Sequence, residues 1–276
     1  MNRYLFLLLF FCLALDSCKN KTDFPSDNHY VNAGNYFLLG KYQDAIDEYN
    51  LAIARDPQNA NAYLGLGQVY YYLNDYDKAI EKLDKATSLD PNFAFAFYAK
   101  ASARISDGDA EGALKDLDRS IEINPDFLFA IYVRGTQYSA MRDFDKAIDD
   151  FDKVIKIKPD YYRAYYARAV AKQDKRDFES AINDYTIALK GNSGKLNSFY
   201  NRAFCYVDLK LYALAVNDFS NAIAIKNDFS RAYIYRGVYE YALQKKDEAC
   251  TDFQRAKDIG DTSANFYIRK YCDKNK

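Results

Sequence analysis

Tryptophan is absent from this chain, and histidine occurs once, at His29. One imidazole cannot build a multi-histidine metal site, and it argues against a histidine-dependent catalytic triad. Only 5 Pro and 11 Gly are spread over 276 residues, which suits helices better than a loop-rich β protein. No charge sign dominates: 38 Lys plus Arg stand against 39 Asp plus Glu, a net charge of −1. The basic excess of most nucleic-acid binders is therefore missing, and no nucleic-acid partner is expected. Phosphate loop, nucleophile elbow and clustered metal ligands are lacking too, so no catalytic residue, metal or cofactor is assigned. What is present is apolar residue at 49%, enough to bury a core, and an unusual load of 27 Tyr and 19 Phe.

The longest apolar run is Tyr4 to Leu15, twelve residues behind Arg3. A spanning helix needs ~20, so the run reads as the apolar part of an export signal. Leu15-Asp16-Ser17-Cys18 then resembles the bacterial lipobox, with Asp16 as a departure from it. The resemblance implies a lipoprotein signal over 1–17 and a lipidated Cys18 as first mature residue; an ordinary secreted protein is the alternative. Residues 18–25 form a short tether. Lys19 in place of Asp favours the outer membrane by analogy, with the periplasmic side preferred.

From Ser26 a period of 34 residues runs without insertion through 26–59, 60–93, 94–127, 128–161, 162–195, 196–229 and 230–263. Pro57, Pro91, Pro125 and Pro159 keep that spacing. Position 8 is small (Ala33, Gly67, Ala101, Gly135, Ala169, Ala203, Gly237), and position 20 is Ala seven times, from Ala45 to Ala249. Position 24 is large and apolar: Tyr49, Leu83, Leu117, Phe151, Tyr185, Phe219 and Phe253. Two antiparallel helices approach closely only where neither is bulky, and the large residue fills the space beside that contact. Asp75, Asp109, Asp143 and Asp177, at position 16, are placed to cap the second helix. Pro at position 32 ends it. The fifth repeat replaces that Pro by Ser193, so the joint near Gly191–Gly194 is expected to be the loosest.

This pattern resembles the tetratricopeptide repeat over residues 26–263, except that Trp never stands at position 4. The resemblance implies an all-α fold, a right-handed α-α superhelical solenoid of seven units, with residues 262–273 as a C-terminal capping helix. It also implies that positions 2, 5, 9 and 12 line a concave groove. Those positions hold Phe95, Phe129, Arg163, Tyr98, Tyr132, Tyr166, Tyr200 and Tyr71. The tyrosines would form a ladder suited to an extended peptide or a partner helix; packing against neighbouring helices is the competing reading. The Lys and Asn clamp by which some members hold chaperone C-termini is absent.

Position 7 is cationic and position 23 is Asp in repeats 3 to 7. Pairing to the next repeat would oppose Lys82 to Lys100, so pairs within repeats are expected: Arg134–Asp150, Arg168–Asp184, Arg202–Asp218 and Arg236–Asp252. These are structural rather than catalytic, and His29 reads as packing or surface. Cys205 reads as core. Cys250 faces the side that Cys272 on the cap should cover, leaving a disulfide or two buried thiols open. The chain is thus expected to be a lipid-anchored envelope scaffold for protein or peptide partners, with a spacer as alternative; an enzyme or a glycan-binding module finds little support.

Overall fold

The structure, a computed structural model, describes residues 28–191 and 194–273. The expected signal 1–17, Cys18 and the tether 18–25 lie outside the described residues, as do Asn192 and Ser193. Among the described residues there are fifteen α-helices and no strand. The chain divides between Phe127 and Leu128 into two compact units. The first holds three helix pairs: α1 (Asn28–Leu38) with α2 (Tyr42–Arg55), α3 (Ala60–Tyr72) with α4 (Tyr76–Leu89), and α5 (Ala94–Asp107) with α6 (Ala110–Ile123). The second holds four: α7 (Leu128–Ala140) with α8 (Phe144–Ile157), α9 (Tyr162–Asp174) with α10 (Phe178–Ala188), α11 (Lys195–Asp208) with α12 (Tyr212–Ile225), and α13 (Ser230–Ala242) with α14 (Lys246–Asp258). Each pair is one 34-residue repeat, and within each unit consecutive pairs pack as in a tetratricopeptide solenoid.

The small positions make the seam. Ala45, Ala79, Ala113, Ala147, Ala181, Ala215 and Ala249 are all fully buried. A Cβ on Gly67 would meet Leu83 Cγ at 2.7 Å, and one on Gly237 would meet the Phe253 ring at 2.7 Å. The helices are therefore as close as a hydrogen at position 8 allows. The position 24 side chains fill the flank of this seam and are buried in every repeat. Each such burial is worth about 2–3 kcal/mol.

Helix ends arise from the sequence at fixed offsets. Position 15 takes a left-handed backbone in every repeat: Gly40, Asn74, Gly108, Arg142, Arg176, Lys210 and Gln244. That conformation lets Asp75 N–H donate to Tyr70 O (3.0 Å) and Asp143 N–H donate to Tyr138 O (2.8 Å), closing the first helix. Asp75, Asp109, Asp143 and Asp177 then accept from Lys78, Gly112, Lys146 and Ser180 N–H as caps.

At the joint expected to be loosest, Gly191 is buried, and its Cα approaches Tyr162 so closely that a Cβ would meet that side chain at 2.9 Å; the middle of that joint lies outside the described residues. One feature differs from the sequence expectation. The cap is not one regular helix over 262–273. It is a single turn, α15 (Ala264–Tyr267), followed by a π-helical turn over Ile268–Cys272. The wider turn shifts the face presented by the last residues. Cys272 is joined to Cys250 by a disulfide, with Cα atoms 5.7 Å apart. Tyr267 and Tyr271 stack on Phe253, with ring centroids at 5.4 and 5.8 Å.

Candidate functional site

The position 5 tyrosines arise from the first helices, one turn after each helix start. Their surroundings decide how much surface they offer. In the first unit Tyr98 is 2% exposed and offers none. Its ring lies against Phe127 (5.3 Å) and Phe95 (6.0 Å). The expectation that Tyr98 lines an open groove is therefore corrected. Phe127, the last residue of its repeat, folds back over it. Phe95 and Tyr71 are partly buried. Tyr71 packs on Tyr72 and Tyr76, and its hydroxyl accepts from Ser106 Oγ at 3.4 Å.

In the second unit the same logic leaves more of each ring outside. Tyr132 rests on Phe151 (5.7 Å) and under Tyr161 (5.4 Å). Burial pushes its hydroxyl up to about 12, with Tyr161 adding to the effect. Tyr200 touches Phe229 (4.8 Å), Phe204 (5.1 Å) and Phe219 (5.8 Å), and burial pushes it to about 12 as well. Tyr166 differs. Its repeat ends in Lys195 where others end in Phe127, Tyr161 or Phe229; the ring is still half-buried, and burial raises its hydroxyl against the pull of Asn201. It leans on Tyr185 (5.8 Å), and its hydroxyl accepts from Asn201 Nδ2 at 3.1 Å. Phe129 is partly buried, whereas Arg163 and Arg231 are exposed. Arg163 stands beside the Tyr132 and Tyr161 hydroxyls and holds both lower than burial alone would. All these hydroxyls remain neutral donors and acceptors near neutral pH.

The signal for the covering rings stands in the sequence at position 34, which reads Phe93, Phe127, Tyr161 and Phe229 in four repeats. The family pattern assigns that place to a turn, which hides it.

The cation–carboxylate pairs sit at the helix seam. Arg134 forks onto Asp150 (2.8 and 2.6 Å), Arg168 onto Asp184 (2.8 and 2.6 Å), Arg202 onto Asp218 (2.7 and 2.8 Å) and Arg236 onto Asp252 (2.7 and 2.7 Å). Lys100 Nζ lies 2.8 Å from Asp116 Oδ1. All five aspartates are buried. Burial raises the Asp116 carboxyl overall, against the pull of Lys100. Burial alone would lower the Arg168 guanidinium, but Asp184 and Asp152 raise it overall. A second contact was not read from the sequence. The same cation reaches back to position 25 of the preceding repeat: Lys100 to Asp84 (3.1 Å), Arg168 to Asp152, Arg202 to Thr186 (2.7 Å) and Arg236 to Ser220 (3.0 Å). Lys100, Arg168, Arg202 and Arg236 thus each tie their own two helices together and also hold the repeat before them.

Position 11 tunes this cluster. Arg104 Nη1 donates to Gly112 O (3.2 Å) and meets Asp116 Oδ2 as a charge at 2.8 Å, while Lys172 donates to Asp184 at 2.8 Å. The seventh repeat has Glu240 there instead. Its Oε2 is buried with no hydrogen-bond partner among the described residues. Burial, with Asp252 and Glu248 nearby, pushes its carboxyl up to about 7. His29 Nδ1 lies 2.7 Å from Glu48 Oε2. Cys205 is buried, and burial pushes its thiol up to about 12, an inert state. Among the described residues no group of three or more His, Cys, Asp or Glu is placed to hold a metal. No described helix is long and apolar enough to cross a membrane.

Comparison with known proteins agrees with this architecture. A model described as TPR repeat matches residues 35–74, and one described as Tetratricopeptide repeat matches 60–93 and 129–161. No curated protein matches the sequence. Among solved structures, MamA is 32% identical, over 57% of this chain and 92% of that one, with a TM-score of 0.55. The C-terminal part of a TPR repeat-containing protein from Cytophaga hutchinsonii is 16% identical, over 86% of this chain and 98% of that one, with a TM-score of 0.74. YrrB, described as a TPR protein with an unusual peptide-binding site, is 18% identical, over 69% and 99%, with a TM-score of 0.61.

Proposed function

The chain belongs to the tetratricopeptide-repeat family, and from that premise we propose that it is a lipid-anchored scaffold of the bacterial cell envelope that binds an extended peptide or protein partner. The binding face is that of the first helices in residues 128–273, centred on Tyr166. One observation carries this reading. In the row Tyr132, Tyr166 and Tyr200, Tyr166 is the half-buried ring whose repeat ends in Lys195 rather than an aromatic residue, and Arg163 and Arg231 nearby are exposed. Rings held by packing lose little freedom on binding and still offer an apolar edge and a hydroxyl. The arginines can engage backbone carbonyls or carboxylates of a bound peptide. YrrB, with the same fold and a peptide-binding site, is consistent with this use. The reading assigns binding and no catalysis.

Anchoring rests on the lipobox-like Leu15-Asp16-Ser17-Cys18, with the outer membrane, periplasmic side, as location. Lys19 to Pro25 spans at most ~25 Å, which would keep the repeats near their membrane.

Crosslinking in native cells tests the face. Tyr166→Ala combined with Arg163→Glu and Arg231→Glu should lose a partner that the wild type captures, while keeping its helical circular dichroism. Capture unchanged by the triple variant would overturn this surface. Labelled fatty acid should be incorporated by the wild type and not by Cys18→Ser. Equal labelling of both would remove the anchor.

A further inference from the structure

Seven repeats of one sequence let each surface be compared with its own equivalents. The second helices turn their outer faces to solvent, and six of the seven put charge there. The fourth repeat is the extreme: Arg142, Lys146, Asp149, Lys153, Lys156 and Asp160 occupy positions 15, 19, 22, 26, 29 and 33. In the fifth, Glu179 still places a charge on the exposed side of α10. The sixth repeat breaks the pattern. The only charge on α12 is Asp218, and it is buried under Arg202. Exposed instead are Leu211 (45%), Leu214 (46%) and Ile225 (50%), together with Ala213, Asn217 and Ala224. Leu211 also replaces the capping Asp of earlier repeats and makes no side-chain cap bond. An apolar residue there costs cap energy and exposes hydrocarbon, and nothing inside this repeat recovers either.

We propose that this face is a docking surface for a second copy of the chain, with the two α12 helices packed antiparallel about a twofold axis. The argument lies in the spacing and the charges at the ends. Positions 210, 214, 217, 221, 224 and 228 alternate steps of four and three, the spacing of a helix–helix seam. They read Lys, Leu, Asn, Asn, Ala and Asp. Laid against itself in antiparallel sense, this row sets Leu214 over Ala224, and Asn217 beside Asn221, whose amides can bond to each other. The same register brings Lys210, in the turn before α12, to Asp228, in the turn after it, twice by symmetry. A parallel arrangement would oppose Lys to Lys and Asp to Asp. Both ends are exposed; Asp228 lies 3.9 Å from Lys226 Nζ in its own turn, a long and solvated contact with which a nearer Lys210 of the second copy would compete. The neutral centre and opposite ends complement a second copy in one direction only, which is the self-complementarity of a closed dimer. A one-helix contact is small beside the ~800 Å² per partner of a standard interface, so association should be reversible. This surface is separate from the Tyr166 face, and neither reading depends on the other.

Sedimentation velocity of the full chain in mild non-ionic detergent, over a range of concentrations, tests it. The wild type should show a monomer–dimer equilibrium. Leu214→Asp should give monomer, with helical circular dichroism unchanged because the side chain is exposed. Lys210→Glu alone and Asp228→Lys alone should each weaken the dimer about tenfold by placing like charges together. The two combined should restore it, since the pair is reversed rather than removed. A chain monomeric at every concentration would overturn the proposal, as would association indifferent to Leu214→Asp. Failure of the double variant to recover would overturn the antiparallel pairing.

Discussion

At the scale of single residues, the same chemistry recurs with small changes, and those changes are where behaviour should differ. Asp218 is 1% exposed and satisfies two nitrogens of Arg202. Removing one partner of such a pair leaves a buried charge uncompensated, so Asp218→Ala should cost about 3 kcal/mol in urea unfolding. The cap Asp75, at the surface, accepts from Lys78 N–H and from Lys78 Nζ, and Asp75→Ala should cost clearly less than the loss of Asp218. Equal losses for both would mean that the seam pairs carry no special weight. Glu240 differs in sign. Its folded carboxyl holds a proton up to about 7, against 4.5 unperturbed, because burial and Asp252 disfavour the anion. Between those values the folded state binds more proton than the unfolded state, so its contribution to stability falls as pH rises through that window. Glu240→Gln should flatten that slope and leave the protein more stable than wild type above neutral pH. A slope identical in both would show that Glu240 is solvated in the folded protein.

At the scale of helices and turns, most of the architecture was legible because the repeat supplies its own control. Ala at position 20 and Asp at position 16 could be read as seam and cap from seven parallel occurrences. The within-repeat pairing came from the clash of Lys82 with Lys100. The tyrosine ladder was legible as a row but not as a surface. Whether a ring at position 5 is covered depends in part on the side chain 29 residues further along: Phe127 closes over Tyr98, whereas the fifth repeat carries Lys195 at that place. The capping turn was missed in form because a π-helical step leaves no mark in apolar spacing. The left-handed position 15 offers a test at this scale. Gln244 has φ 66°, a region costly for a residue with a Cβ. Gln244→Gly should stabilise by about 0.5–1 kcal/mol, net of the added freedom of the unfolded chain. Gly108 has φ 94° and open space around it, so Gly108→Ala should lose about 1 kcal/mol through backbone strain alone. Thermal unfolding of both variants would show opposite shifts, and matching shifts would contradict the turn assignment.

At the scale of the whole chain, stability in a repeat protein is largely a sum of neighbouring contacts, and the ends matter most. In the seventh repeat the short cap covers Phe253 and Ile234 beside the Cys250–Cys272 bond. With a sequence separation of 22 between the cysteines, loss of that link should cost about 3 kcal/mol by releasing the unfolded chain. Cys272→Ser, or a dithiol reductant on the wild type, should lower the melting temperature alike, and reductant should leave the variant unchanged. The backward reach of the position 7 cations adds a gradient along the chain. Lys100 and Arg168 hold the preceding repeat through Asp84 and Asp152, carboxylates that are half in water. Arg202 and Arg236 hold theirs through the hydroxyls of Thr186 and Ser220. Mobile ions screen the first kind of joint and barely touch the second. Brine should therefore dictate an order of unravelling, with amide hydrogens of the second and fourth repeats exchanging sooner as sodium chloride is raised, and those of the sixth keeping the same clock.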